Sequence, residues 1–320
     1  MSVIVLLLTG LDDVRATLRA LQKQTVKQCL ELVIVAPESA RVNLADADLQ
    51  GFARVARVTF DPCVSTAQGR SAGVRGASAP IVAFVEEHSF PDPAWAEALL
   101  CAHRENYAAV GPAMANANPS TRVSWVNFLL EYGEWMSPIA AGVASHLPGH
   151  NGSYKRAVLL DYGDRLGEML EAESVLQWDL RARGMMLYLE SSARVNHLNV
   201  SRLDSALALR FNGGRTFAAA RAHRWSVPHR ALYAAGAPLI PFVRLFRIVR
   251  HLFKPGRPTR LLFKVLPLLP LLLIEGLGEM IGYATGAGDA LARLAAMEFN
   301  RQRFLDKRDR VADRVGIAGE

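Results

Sequence analysis

The chain has 320 residues, 51% of them hydrophobic, and a formal net charge of +7. That length suffices for one large domain or two smaller ones with an ample core. Its three cysteines, Cys29, Cys63 and Cys101, are scattered without ligand spacing, which excludes a disulfide framework and fits a reducing compartment.

From the N-terminus, residues 3–8 form an apolar strand. Neither a basic leader nor a small-residue cleavage site accompanies it, so it is not read as a signal peptide. Asp12 to Gln24 has helical spacing through Val14, Leu18 and Leu21. Leu32–Val35 and Val55–Phe60 read as strands, with a small-residue helix over Arg70–Ala77. Strands alternating with helices predict an α/β fold with a mostly parallel sheet flanked by helices.

Ile81-Val82-Ala83-Phe84-Val85 is the clearest strand, apolar throughout and so covered on both faces. It ends abruptly in Glu86-Glu87-His88. The carboxyl end of such a strand is where open α/β sheets bind ligands. Glu86 and His88 alternate with Glu87, so they point the same way and could share a divalent cation. The expectation is a metal bound together with a diphosphate.

Ala94 to Asn106 reads as helix and Ala109–Pro112 as a short strand. Asn116 to Pro148, aromatic and rich in Gly and Ala, reads as a loop-and-helix insertion over the site. Val158 to Gly184 has a helical pattern, followed by extended pieces at Met186–Leu189 and Arg194–His197.

These features, in this order, resemble the family 2 glycosyltransferases with the GT-A nucleotide-sugar-binding fold, over about residues 2–200. The resemblance rests on the Gln24-Thr25 turn after the first helix, Glu38-Ser39 after the second strand, and Arg70-Ser71-Ala72-Gly73 before the metal strand. Glu86-Glu87-His88 stands where the family has Asp-x-Asp, and Phe90-Pro91-Asp92-Pro93-Ala94-Trp95 follows it. The resemblance implies an inverting hexosyltransferase with a nucleotide-sugar donor, a UDP-sugar foremost, and a divalent cation, Mn²⁺ or Mg²⁺.

Residue by residue, it implies a metal held by Glu86, His88 and a late histidine, His197. Glu38, Arg70, Glu86 and Glu87 fall at donor-binding positions. The family's Glu-Asp motif, which supplies the base, falls at Glu171-Ala172-Glu173, leaving Glu173 or Glu171. Gly149-His150-Asn151 matches a segment beside the acceptor, so His150 and Asn151 are acceptor candidates. The departures, including Leu6-Leu7-Leu8 and Ala36-Pro37 at nucleotide-contact positions, keep an alternative open: a non-catalytic GT-A-like subunit binding a nucleotide or a partner in a membrane glycan assembly.

Beyond residue 200 the character changes, dividing a catalytic domain (1–200) from a basic, apolar helical region (201–320). Residues 201–320 carry 20 Lys and Arg against 9 Asp and Glu. No nucleic-acid motif accompanies the charge, and its interleaving with long apolar runs points to an anionic membrane surface, not nucleic acid. Arg244, Arg247 and Arg250, three residues apart in a helical pattern over Ala231–Lys254, are expected to share one face toward headgroups. Val265–Ile274 is uncharged but far short of the roughly twenty residues a span requires. It is expected to be re-entrant or interfacial. Arg221-Ala222-His223-Arg224-Trp225 resembles the (Gln/Arg)-x-x-Arg-Trp signature of processive synthases and is read here as a basic interfacial segment. Glu298–Arg314 reads as a solvated helix. These features imply a peripheral or monotopic protein at the cytoplasmic face of a membrane, acting on a glycan or lipid-linked acceptor.

Overall fold

The computed structural model describes residues 1–7, 11–37, 44, 46–60, 65–253, 268–299 and 301–310. In chain order it opens with β1 (Ser2–Leu6), α1 (Leu11–Gln22), β2 (Glu31–Pro37), α2 (Asp46–Leu49), β3 (Arg54–Phe60), α3 (Thr66–Gly76) and β4 (Ile81–Val85). Then come β5 (Ser89–Pro91), α4 (Trp95–Ala102), β6 (Tyr107–Asn116), α5 (Arg122–Tyr132), β7 (Gly142–Ala144) and β8 (Ser153–Lys155). The helices α6 (Arg156–Leu160), α7 (Leu166–Glu171) and α8 (Glu173–Ala182) lead to β9 (Met186–His197). The rest is helical: α9 (Leu203–Arg221), α10 (Val227–Gly236), α11 (Ile240–Leu252), α12 (Leu268–Thr285) and α13 (Ala290–Phe299).

These elements divide into two compact units, one of Met1–Ala117 and Ile139–Leu198, the other of Asn118–Pro138 and Asn199–Arg310. The stretch 116–148 is thereby split, α5 belonging to the second unit and β7 to the sheet of the first.

The first unit is the expected mixed α/β layer: a nine-stranded sheet in the order β3-β2-β1-β4-β8-β6-β9-β5, with β7 also on β9. β1 pairs in parallel with β2 and β4, and β2 with β3. β8 then enters antiparallel between β4 and β6. Burial explains the sequence of the central strands. β1 and β2 are buried along their whole length, and each Val, Ile or Leu so buried contributes roughly 1.5–3 kcal/mol. Helix α3 lies close on this sheet because of Gly73: a Cβ there would stand 2.6 Å from Ile4 Cγ2 and 2.9 Å from Val35 Cγ2. Helix α3 is capped at its start by Ser65 accepting from Gln68 N–H, and Arg70 is among its buried residues.

The helical pattern over Val158–Gly184 is not one helix. Gly163 takes φ +56° and Ala172 takes extended backbone (φ −136°, ψ 92°), so three short helices form and Glu173 begins a new one. Conversely, the two extended pieces at Met186–Leu189 and Arg194–His197 are one strand, β9. Its register against β6 shifts between Pro112 and Ala113.

In the second unit, α9 and α12 meet backbone to backbone through glycine. A Cβ on Gly278 would fall 2.1 Å from Phe211 O, a separation only glycine permits. The apolar run expected over Val265–Ile274 is therefore the start of an 18-residue helix, α12, that continues past Glu275 and Glu279 with its small-residue face on α9. Residues 265–267 lie outside those described. Arg221 lies over the rings of Trp225 (5.3 Å) and Tyr233 (4.9 Å), and Trp225 stacks on His229 at 4.2 Å. Of the tail, residues 300 and 311–314 lie outside the described residues.

Candidate functional site

Three local features converge at the carboxyl end of β4. The chain turns there, Ser89 N–H donating to Glu86 O (3.0 Å), and Thr17 Oγ1 fastens the turn by donating to Glu87 O (2.6 Å). β5 then pairs antiparallel with the end of β9, setting Ser89 opposite His197. Leu198 N–H donates to His88 O at 3.0 Å. Register alone thus carries His197 onto His88.

The result is a cluster of Glu86, His88 and His197 whose ligand atoms all lie within 4.8 Å of one another. His88 Nε2 is 3.0 Å from His197 Nε2, and Glu86 Oε2 is 3.3 Å from His197 Nε2 and 3.8 Å from His88 Nε2. Two ligands each about 2.1 Å from one cation stand roughly 3.0–3.4 Å apart, so two of the three separations already match and the third needs a small side-chain turn. Glu87, buried, approaches His88 Nδ1 at 3.2 Å. A carboxylate on Nδ1 fixes the tautomer with its lone pair on Nε2, the arrangement that orients metal-binding histidines. Glu87 therefore faces the back of His88, in a position that supports the ring. Burial pushes the Glu86 carboxyl up, but His88 and His197 overcome this and hold it well below the usual carboxylate range. Two imidazoles and one carboxylate suit Mn²⁺ or another transition metal better than Mg²⁺.

Asn151 Nδ2 donates to Glu86 Oε2 at 2.9 Å, joining the cluster to the loop before β8. In that loop His150 adopts left-handed backbone, φ 64°. A non-glycine residue is held there only when its surroundings enforce it. Glu173 does so: its Oε1 accepts the His150 N–H (2.8 Å) and lies 3.2 Å from His150 Nδ1. Tyr154 O–H donates to Glu173 Oε2 (2.9 Å), and Gln177 Nε2 donates to Tyr154 (3.2 Å). The Glu173 side chain is 1% exposed and that of His150 33%. Burial and the nearby Arg70 charge act to lower the His150 pKa, and Glu173 and Glu86 raise it overall. Glu173, despite burial, is held low by His150.

Arg70 is buried, and among the described residues it makes no hydrogen bond or ion pair. Its charge acts on His150, Tyr154, Glu171 and Glu173. Glu171 instead accepts from Ser65 Oγ, tying the end of α7 to the start of α3, and burial raises its pKa. Glu38 lies outside the described residues.

No family model matches the chain, and no curated protein sequence matches it. Among solved structures it is similar to S. aureus TarS 1–349, with a TM-score of 0.48 and 16% identity over 99% of this chain and 89% of that one. A longer S. aureus TarS structure gives 0.44 and 17%, covering 90% of this chain and 55% of that one. GalNAc-T7, solved with UDP, GalNAc and Mn²⁺, gives 0.46 and 13%, covering 62% of this chain. The chain spans 42% of the GalNAc-T7 chain.

Proposed function

We propose that the chain is an inverting glycosyltransferase of the GT-A type, moving a hexose from a nucleotide-sugar, a UDP-sugar foremost, to an acceptor hydroxyl. The observation that carries this reading is the Glu86–His88–His197 cluster at the carboxyl end of β4, with Arg70 buried in the same unit and, among the described residues, without a hydrogen bond or ion pair. A buried guanidinium without a carboxylate partner is costly unless an anion completes it, and a diphosphate is such an anion.

In this reading Glu86, His88 and His197 hold a divalent cation, which when bound supplies positive charge against the leaving diphosphate. Arg70 pairs with a phosphate oxygen. Glu173, with both oxygens engaged and its side chain 1% exposed, is not itself open to an acceptor and acts through His150. As the acceptor oxygen attacks the anomeric carbon, its proton goes to the neutral form of the His150 ring, so the rate rises with pH through the raised His150 pKa. The bond from the anomeric carbon to the diphosphate oxygen breaks, the electron pair leaves with the diphosphate, and the anomeric configuration inverts. Glu173 stabilises the imidazolium that forms, and Tyr154 and Gln177 hold Glu173 in place. Asn151 orients Glu86 and faces the acceptor side. Glu171 anchors the helix that carries Arg70. The basic, apolar second half supports a lipid-linked or membrane-proximal acceptor and a place at the cytoplasmic face of a membrane.

Calorimetric titration of UDP and then GDP, with Mn²⁺ and with chelator, tests the reading. Metal-dependent binding that is lost in His88→Ala supports it. Absence of nucleotide binding under every condition removes it.

A further inference from the structure

The second unit presents an apolar face that its own packing does not use. Val227–Leu252 forms a run of helix long and apolar enough to cross a membrane by length and composition, yet only 11% of its most apolar 18-residue window is buried. Leu232, Leu239, Phe242, Phe246 and Phe253 are 55–68% exposed. Their spacing through α11 of three to four residues makes one stripe. Pro238 and Pro241 stand in the first turns of the 3₁₀ segment Ala237–Leu239 and of α11, where α10 gives way to α11.

Charge selects what this stripe meets. No Asp or Glu occurs anywhere from residue 205 to 274. Arg247 and Arg250 are exposed, Arg250 within the stripe and Arg247 at its rim. The three arginines expected on one face do not share it. A three-residue step turns a helix by about 300°, so successive arginines drift by about 60°. Arg244 accordingly turns inward, 2.6 Å from Glu275 and donating to Leu130 O (3.2 Å). The inner face of α11 is thus secured within the unit, and the outer face keeps phenylalanines and two cations.

We propose that the outer face of α10 and α11 docks on an anionic lipid surface, lying in the interface with Phe242, Phe246 and Phe253 among the acyl chains and Arg247 and Arg250 at the lipid phosphates. An apolar stripe edged by cations and free of acids fits such a surface. A protein partner would leave those arginines in need of carboxylates. The proposal concerns the second unit and stands independently of the transfer reading.

The test is co-sedimentation of the full chain with vesicles of phosphatidylcholine alone and of phosphatidylcholine with phosphatidylglycerol. Wild type binds the anionic vesicles, and added salt weakens that binding. The double variant F242E/F246E, on exposed positions and checked for an unchanged melting temperature, loses at least about tenfold in binding. R247E/R250E loses binding to anionic vesicles chiefly at low salt. Wild type that ignores both vesicle types, or F242E/F246E that binds as wild type does, overturns the proposal. So does a lipid-free dimer in sedimentation velocity that F242E/F246E dissolves, because the stripe then belongs to a second copy of the chain.

Discussion

His88 and His197 are 109 residues apart in sequence, and their Nε2 atoms stand 3.0 Å from each other. Two imidazole nitrogens so close, with Glu86 Oε2 beside them, are spaced to share a cation as well as a proton. Mn²⁺ titrated into the nucleotide-free protein is expected to bind at one site. His88→Ala and His197→Ala should each abolish that binding, and Glu87→Gln should weaken it by about tenfold or more by releasing His88 Nδ1. Calorimetry or Mn²⁺ paramagnetic resonance reads both effects; equal affinity in His88→Ala and wild type would sink the site.

His150 and Glu173 yield a prediction about protons. The His150 pKa is raised above its ordinary value of 6.5, burial and Arg70 being outweighed by Glu173 and Glu86. A raised histidine contributes stability that is fully present below its unfolded value and is lost as pH rises through the folded one. The imidazole resonance of His150 should therefore titrate above 6.5 in the folded protein, and in Glu173→Gln its midpoint should drop. Unchanged titration in Glu173→Gln would dissolve the pair.

Turnover separates the two members of that pair. With water as acceptor, donor hydrolysis by His150→Ala should fall by a factor of roughly a hundred to ten thousand, the usual worth of a general base. Imidazole added to the buffer should restore part of it. If instead His150→Ala keeps its rate and only Glu173→Gln fails, the carboxylate acts alone.

Glu279 offers a second pH dependence, in the other unit. Burial and then Glu275 push its carboxyl up to about 7, against the pull of Arg244 and Arg221. The folded state therefore holds this proton more tightly than the unfolded chain. The associated stability is full below the ordinary value of 4.5 and is lost as pH climbs to about 7. Glu279→Gln should remove that decline, a difference of up to about 3 kcal/mol above neutrality. Denaturant unfolding at several pH values checks it, and parallel curves for the two proteins would count against it.

Two glycines of the helical unit should respond in opposite ways. Gly278→Ala places a methyl against Phe211 O and should cost about 1–3 kcal/mol or more as α9 and α12 part. Gly213, inside α9, has nothing within 4 Å of its Cβ position. There alanine should be neutral or stabilise by up to about 1 kcal/mol. Thermal melts of the two variants distinguish close packing from simple helix propensity.

How much of this was legible in the sequence varied with the kind of signal. The bounds of β4 were readable to the residue, because five apolar residues stop at a pair of carboxylates. The break at Ala172 was not, since neither proline nor glycine marks it; only the structure shows Glu173 starting its own helix. The three-residue strands β5 and β8 are too short to have a period. β5 is nonetheless what brings His197 to His88, so the histidine pair could be expected only through resemblance. The left-handed backbone of His150 has no sequence signature at all, and it is what turns Glu173 from a lone carboxylate into half of a pair. Arg244 was misassigned because its partner, Glu275, lies beyond the pattern of its own helix.

The two ends of the sheet also bear on how the protein behaves in concentrated solution. One end is β3, which carries the exposed cations Arg54 and Arg57. The other is β5, three residues long and closed by Pro91, which has no N–H to offer. A neighbouring molecule arriving edge-on meets Arg57, and Arg54 held by Glu31 at 3.0 Å, at one end and a short ladder at the other. Among the described residues, neither end offers a long, uncharged edge for strand addition.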